Sequence, residues 1–299
     1  MTTTPDERPV HVERRGERLF GILHVPAPAR ATAVVFLSSG LQNRAGPHRM
    51  YVKAARRFAE DGFVSLRLDL PGVGDSAERP LEANFDCHDD EPVAHATKHL
   101  TERHGVERIV LLGLCAGARV ALRAAVRDPR VAGVVAWSAP VVSGPVNMPV
   151  AKGGGAYMGR TQAKRQLREW APKLVNPVVW YRYLAAGKSL GSGWGMMRRA
   201  MSGLLPERLR TTSDRQSAFL NAVTTLAASP KARLLFVYGE EDTVARGELA
   251  ERFPTIARGT SPRCDLVVVP GGDHTFTRAA STDEAIAETA AWLVRNFPD

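Results

Sequence analysis

Short apolar runs alternate with amphipathic or polar stretches along most of this chain. The apolar runs lie at 33–37, 63–68, 108–113, 132–137, 233–238 and 266–269. Runs of this length between turn residues are typical of buried parallel strands. Alternating polar and apolar residues at about 10–26 predict a β-hairpin before them, and residues 283–297 have the period of a C-terminal helix. The pattern therefore predicts a mostly parallel sheet flanked by helices.

The alternation is interrupted once, after the run at 132–137. About 90 residues pass before the next strand-like run, so we predict an insertion at 141–230 between core segments 9–140 and 231–299. Residues 1–8 are too polar for a signal peptide and are predicted to be a disordered tail. No apolar run has the length of a transmembrane helix.

The segment from Gly113 to Gly117, Gly-Leu-Cys-Ala-Gly, joins a predicted strand to a helix-like stretch. Small residues on both sides of Cys115 suit a sharp, strained turn that presents the central side chain. A thiol at the start of a helix lies near the positive end of the helix dipole, which stabilises the thiolate. The sequence thus favours a reactive Cys115, and a buried, inert cysteine in a glycine-rich turn is the alternative.

Two candidate partners follow later in the chain, each directly after a predicted strand. Asp242 follows the strand at 233–238 and is the candidate acid, with Glu241 as the reserve. His274 follows the strand at 266–269, whereas the other seven histidines lack this strand-then-loop context. Asp273 is interpreted as a residue that caps its own loop. The carboxyl ends of parallel strands share one edge of a sheet, where such folds bind ligands.

These motifs resemble those of the α/β-hydrolase superfamily, in its serine-aminopeptidase-like branch, over residues 9–298. The stretch Asp69–Ser76 is similar to the D-x-x-G-x-G-x-S turn after the family's fourth strand. A closer resemblance is to hydrolases associated with exosortase A systems, which also carry Gly-Leu-Cys at this turn. It extends to 40–49 and 273–278, although those proteins often have an acidic residue at the position of Ala116.

The resemblance implies an eight-stranded, mostly parallel sheet flanked by helices, with a helical lid inserted after strand 6, here 141–230. It also implies a catalytic triad of Cys115, Asp242 and His274, which occur along the chain in the family's order of nucleophile, acid and histidine. The thiolate would form a thioester with an acyl group. Backbone N–H groups of Ala116 and of Leu41 or Gln42 would then form the oxyanion hole.

The net positive charge of the chain lies in the insertion, and the rest of the chain is close to neutral. Residues 141–213 hold twelve basic and two acidic residues, against a net charge of +9 for the whole chain. Such a surface attracts acidic partners, here an acyl carrier protein or coenzyme A that delivers an acyl thioester. The candidate substrate or carrier contacts are Arg198, Arg199, Trp194 and Arg49. A solvated basic face is the alternative, and we expect neither nucleic-acid binding nor membrane association.

No cofactor or metal is expected. The three cysteines are odd in number and lack metal-site spacing, which favours a reducing compartment, the cytoplasm. The glycine-rich motifs that would indicate nucleotide binding are incomplete in this sequence. The sequence therefore predicts a cysteine-dependent thioesterase or acyltransferase. The alternatives are a small-molecule ester or lactone hydrolase and a non-catalytic binding protein on a hydrolase scaffold.

Overall fold

An eight-stranded sheet forms the centre of the structure, a computed structural model. The structure describes residues 6–14, 16–38, 42–76, 91–141 and 214–298. Within the last of these ranges, the side chains are described from residue 218 onward. The strands are β1 (Asp6–Arg14), β2 (Glu17–Val25), β3 (Thr32–Leu37), β4 (Val64–Leu68), β5 (Arg108–Leu114), β6 (Val131–Trp137), β7 (Arg233–Gly239) and β8 (Cys264–Val269).

The strand order across the sheet is β1-β2-β4-β3-β5-β6-β7-β8. The pairs β1–β2 and β2–β4 are antiparallel, and every other neighbouring pair is parallel. The predicted mostly parallel sheet of eight strands is therefore confirmed. Its six parallel strands all end at the same edge, so the loops that follow them are neighbours.

Helices connect most of the strands in the described ranges. They are α1 (Met50–Glu60), α2 (Glu91–His104), α3 (Ala116–Arg127), α4 (Asp214–Ala228), α5 (Thr243–Arg252), α6 (Pro254–Ala257) and α7 (Ala279–Asn296). Single 3₁₀ turns lie at Pro47–Arg49 and Gly74–Ser76. None of the helices in this part of the chain is long and apolar enough to cross a membrane.

The core lies on both faces of the sheet because the central strands are buried on both sides. Alternate residues, such as Phe36, Leu112 and Val135, join one cluster with the buried sides of α1 and α7. The intervening residues are also buried, and α2 and α3 pack against β3, β5 and β6. Burial on both faces explains why these strands read as continuous apolar runs.

Two predicted boundaries differ from the structure. Strand β1 begins at Asp6, so residues 6–8 of the predicted disordered tail are ordered by antiparallel pairing with β2. The compact unit that contains the sheet resumes at Phe219, inside the predicted insertion 141–230. The reason is that α4 buries Phe219, Val223 and Leu226. Most of the predicted lid lies outside the described residues.

Candidate active site

The turn around Cys115 is a sharp strand-to-helix connection. Cys115 directly follows β5, occupies the N-cap position of α3 and has φ 53° and ψ −114°, a region that non-glycine residues rarely occupy. A side chain on Gly113 would lie 2.2 Å from the carbonyl carbon of Gly117, and one on Gly117 would lie 2.4 Å from the oxygen of Leu37. Glycine at both positions therefore permits the close approach that strains Cys115.

The loops after β7 and β8 are held together by their backbones. The N–H of Glu241 donates to the oxygen of Gly272 at 2.8 Å, and that of Glu240 donates to the oxygen of Val269 at 2.9 Å. A side chain on Gly239 would lie 2.1 Å from the oxygen of Gly272, so only glycine fits there. These contacts bring the residues that follow, Asp242 and His274, to the same place.

The structure brings Cys115, His274 and Asp242 together. Nδ1 of His274 lies 2.8 Å from Oδ2 of Asp242, and Cys115 is close enough to His274 to contribute to the raised pKa of the imidazole. The Asp242 side chain is 8% exposed and that of His274 is 41% exposed. The imidazole therefore interacts with both a buried carboxylate and a half-buried thiol.

The electrostatics of this group favour the protonated imidazole. Burial acts to lower the pKa of His274, but hydrogen bonds and charge interactions with Asp242 and Cys115 outweigh it and raise the pKa to about 10. At neutral pH His274 therefore carries a proton on each ring nitrogen, one of which faces Asp242.

The two neighbouring carboxylates have other partners. Glu241, the reserve acid, is 51% exposed and forms an ion pair with Arg278 at 3.0 Å. Asp273 accepts the backbone N–H groups of Thr275 at 3.1 Å and Thr277 at 2.9 Å, so it caps the loop that carries His274. These hydrogen bonds lower the pKa of Asp273 against the opposing effect of its burial.

The remaining predicted site residues are placed only in part. Ala116 is buried at the first position of α3, where backbone N–H groups lack helical partners. Gln42 and Arg49 are exposed, and Arg49 has φ 60°. Leu41, Trp194, Arg198 and Arg199 lie outside the described residues. Their roles stay predictions.

An ion-pair cluster anchors the loop after β3. Asp69 is fully buried and accepts the backbone N–H of Arg44 at 2.5 Å and that of Asp75 at 3.1 Å. The guanidinium of Arg44 also contacts Asp69 and pairs with Asp75 at 2.7 Å. The Asp69–Ser76 turn is predicted from the sequence, but the role of Arg44 is not, since its 25-residue separation from Asp69 leaves no local signal.

Tyr51 is a second residue that the sequence analysis missed. It is fully buried on α1, and burial raises the pKa of its phenol above the ordinary range, so the hydroxyl stays neutral. This hydroxyl bonds to the backbones of β3 and β5 immediately before Cys115. A tyrosine on the apolar face of a helix looks like an ordinary core residue, and only its hydrogen bonds distinguish it.

Metal ligands and thiols give no second site in the described ranges. No group of three or more histidine, cysteine or acidic side chains there could hold a metal ion. Cys115 and Cys264 are both free thiols, and burial raises the pKa of Cys264.

Comparisons with known proteins identify a family and a shared fold. A model of the alpha/beta hydrolase family matches residues 34–291. The solved structures similar to this chain include a dienelactone hydrolase from Anabaena variabilis, at 16% identity and a TM-score of 0.59 over 98% of this chain and 99% of that one. A search of curated proteins found no match.

Two esterases share the same architecture. An esterase from Pyrococcus furiosus has 16% identity and a TM-score of 0.61, with 98% of this chain and 92% of that chain covered. The esterase domain of a Rhodothermus marinus protein has 16% identity and a TM-score of 0.57, with 97% and 98% covered. At this identity the three structures establish a common fold.

Proposed function

Because this chain belongs to the alpha/beta hydrolase family, we propose that it is an acyl-transfer enzyme with Cys115 as its nucleophile. One observation carries the proposal: Nδ1 of His274 lies 2.8 Å from Oδ2 of Asp242, and interactions with both Asp242 and Cys115 raise the pKa of His274. This is the arrangement of nucleophile, base and orienting acid that activates a nucleophile in covalent catalysis.

In the first proposed step the sulfur attacks an acyl carbon while His274 is protonated. The carbon–sulfur bond forms, the carbonyl becomes an oxyanion, and the N–H of Ala116 donates to it. Collapse of this intermediate expels the leaving group, which takes the proton from His274. A thioester on Cys115 remains.

In the second proposed step the imidazole changes role. The charge of Cys115 contributes to the raised pKa of His274, so loss of that charge on acylation lowers the pKa. The neutral imidazole then takes a proton from water or another acceptor, which attacks the thioester. The sulfur then leaves as the thiolate while His274 keeps the proton taken from the acceptor, which restores the charged pair of the free enzyme.

The proposed substrate is an acyl thioester on an acyl carrier protein or coenzyme A. Twelve basic against two acidic residues at 141–213 support this choice, since an acidic carrier would be attracted by that charge. From the shared Gly-Leu-Cys motif we also propose that this chain is related to the hydrolases associated with exosortase A systems. The predicted cytoplasmic location is compatible with carrier-bound substrates.

A small-molecule ester or lactone is the second candidate substrate. The observation in its favour is the shared fold with a dienelactone hydrolase and two esterases, whose substrates are esters by their names. The same Cys115 chemistry would act on these substrates, and only the leaving group differs.

The two substrate classes are separated by one comparison of kcat/KM. The octanoyl group is presented as a p-nitrophenyl ester, a coenzyme A thioester and a carrier-protein thioester. In the variant Arg198→Glu/Arg199→Glu, we expect a roughly tenfold loss with the carrier protein and none with the ester, because charge steering affects the acidic partner. Arg18→Glu, an exposed residue of β2, is the control. Equal kinetics with the carrier would contradict the carrier assignment.

A further inference from the structure

Tyr51 connects the two backbone segments from which the oxyanion hole of the proposed enzyme is built. Its hydroxyl donates to the oxygen of Leu37 at 3.0 Å and accepts the N–H of Leu114 at 2.8 Å. Leu37 is the last residue of β3, and Leu114 directly precedes Cys115. One side chain thus bonds both strand ends at this edge.

This bridge lies where the direct pairing of the two strands ends. The parallel pairing of β3 with β5 ends at Leu37 and Gly113, one residue before Leu114. Beyond that pair, the backbone of Gly117 approaches Leu37 so closely that a side chain would meet its oxygen at 2.4 Å. The Tyr51 hydroxyl therefore continues the connection between the strands up to the strained residue Cys115.

Tyr51 also contacts the far end of the loop that follows β3. Its backbone N–H donates to the oxygen of Ala45 at 3.1 Å, and a side chain on Gly46 would lie 2.8 Å from its ring. The ring is fixed in turn by Phe36 and Trp137, at centroid distances of 5.3 and 6.2 Å. Both ends of the loop are therefore tied to one rigid, fully buried side chain.

We propose that Tyr51 is a positioning residue that sets the distance between the Cys115–Ala116 turn and the loop after β3. The inference rests on the proposed function, because the two N–H donors of the oxyanion hole would come from these segments. Small displacements of donors or nucleophile reduce rates strongly, by about a hundredfold for an error near 1 Å. Tyr51 itself does not touch the acyl group in this account.

The test variant is Tyr51→Phe, which keeps the ring and removes only the bridge. The control is Thr289→Val, an equally buried hydroxyl in the same core that accepts Nε1–H of Trp137 at 3.0 Å and donates to Ala285. Both changes remove a buried hydrogen-bonding group, so both destabilise the fold to a similar degree.

Two rates on Cys115 are compared for each protein, normalised to titratable thiol. Acylation by p-nitrophenyl acetate needs the oxyanion hole, whereas alkylation by iodoacetamide does not. For Tyr51→Phe we expect acylation to fall by about ten- to a hundredfold with alkylation within about threefold of wild type. For Thr289→Val we expect neither rate to change. Unchanged acylation in Tyr51→Phe, or parallel losses of both rates, would overturn the proposal.

Hydrogen exchange at the Leu114 amide gives a readout that is independent of activity. We expect at least a tenfold increase in its exchange rate in Tyr51→Phe and none in Thr289→Val, because only the first variant removes its acceptor. If the wild type forms no acyl-enzyme, the proposed function fails, and this exchange rate alone decides the positioning role. An unchanged Leu114 rate would then overturn it.

Discussion

Nδ1 of His274 lies 2.8 Å from Oδ2 of Asp242, across 32 residues of sequence. Asp242 is nearly buried, whereas the neighbouring Glu241 is half exposed and paired with Arg278. Backbone hydrogen bonds between the two loops fix this relationship, so it does not depend on the two side chains alone. The carboxylate is thus placed to orient the imidazole and to stabilise its protonated form.

Removal of this carboxylate tests the orienting role. We expect Asp242→Asn to lower kcat by about 10³- to 10⁴-fold with either ester or thioester, because the imidazole loses the group that fixes its orientation and charge. Glu241→Gln is the matched control and should retain wild-type kcat. Steady-state kinetics check both variants, and a larger loss in Glu241→Gln than in Asp242→Asn would show that Glu241 is the acid.

We expect Gly117→Ala to lower the free energy of unfolding, although helix propensity alone would favour alanine. Alanine in a helix is favoured over glycine by about 1 kcal/mol. In Gly117→Ala, however, the new carbon meets the Leu37 oxygen at 2.4 Å, so we expect a net loss of about 2 kcal/mol in the free energy of unfolding. Urea denaturation measures this loss.

Gly105→Ala separates the steric effect from the effect of a new side chain. Gly105 has φ 63°, and a β-carbon added to it would have no other atom within 4 Å, so only backbone strain of about 1 kcal/mol is expected. A Gly117→Ala protein as stable as wild type would contradict the close packing of the turn.

The raised pKa of His274 predicts that the folded protein loses stability at alkaline pH. Its pKa is raised from 6.5 to about 10 in the folded protein, so the proton that it retains stabilises the fold fully below pH 6.5. This contribution decreases above 6.5 and is lost as the pH passes 10. The difference in unfolding free energy between wild type and His274→Gln should therefore fall across this range, and a difference independent of pH would refute the raised pKa.

The lowered pKa of His24 predicts that the folded protein loses stability at acidic pH. It is fully buried beside Arg67, whose Nε donates to its Nε2 at 3.1 Å, and burial and the charge of Arg67 lower its pKa from 6.5 to about 4. The unfolded chain therefore binds a proton at His24 below pH 6.5, whereas the folded chain binds it only near pH 4. Stability present above 6.5 is lost as the pH falls toward 4.

His24→Gln keeps an acceptor for Arg67 but does not titrate. We expect the stability of wild type relative to this variant to be constant above pH 6.5 and to decrease between 6.5 and 4. Thermal unfolding in buffers of matched ionic strength measures the difference. The same slope in both proteins would show that His24 is not the titrating group.

The sequence predicted the elements whose pattern is set by burial. The central strands appear as apolar runs because both of their faces are covered, and β7, which precedes Asp242, is one of them. Strand β8, which precedes His274, lies at the edge of the sheet and is only partly buried, but its sequence is also an apolar run. Strand β1 begins earlier than predicted because Asp6–Arg8 form an exposed edge, ordered by pairing with β2 and not by an apolar face.

Residues that act through distant backbone contacts could not be predicted. Tyr51 bonds to Leu114, which is 63 residues away, and its position in α1 has the ordinary pattern of a core residue. Arg44 and Asp69 likewise meet only because β3 and β4 are neighbours in the sheet. Local periodicity carries no information about such pairs.

The central claim, a thioester on Cys115, is tested most directly by intact-protein mass spectrometry. Wild type, Cys115→Ala and Cys115→Ser are mixed with octanoyl thioesters of coenzyme A and of a carrier protein and with p-nitrophenyl octanoate, then quenched in acid. We predict an octanoyl adduct on the wild type that is absent from Cys115→Ala and is released by hydroxylamine. An equal adduct on Cys115→Ala, or no adduct and no turnover with any of the three substrates, would contradict the account and favour a binding role.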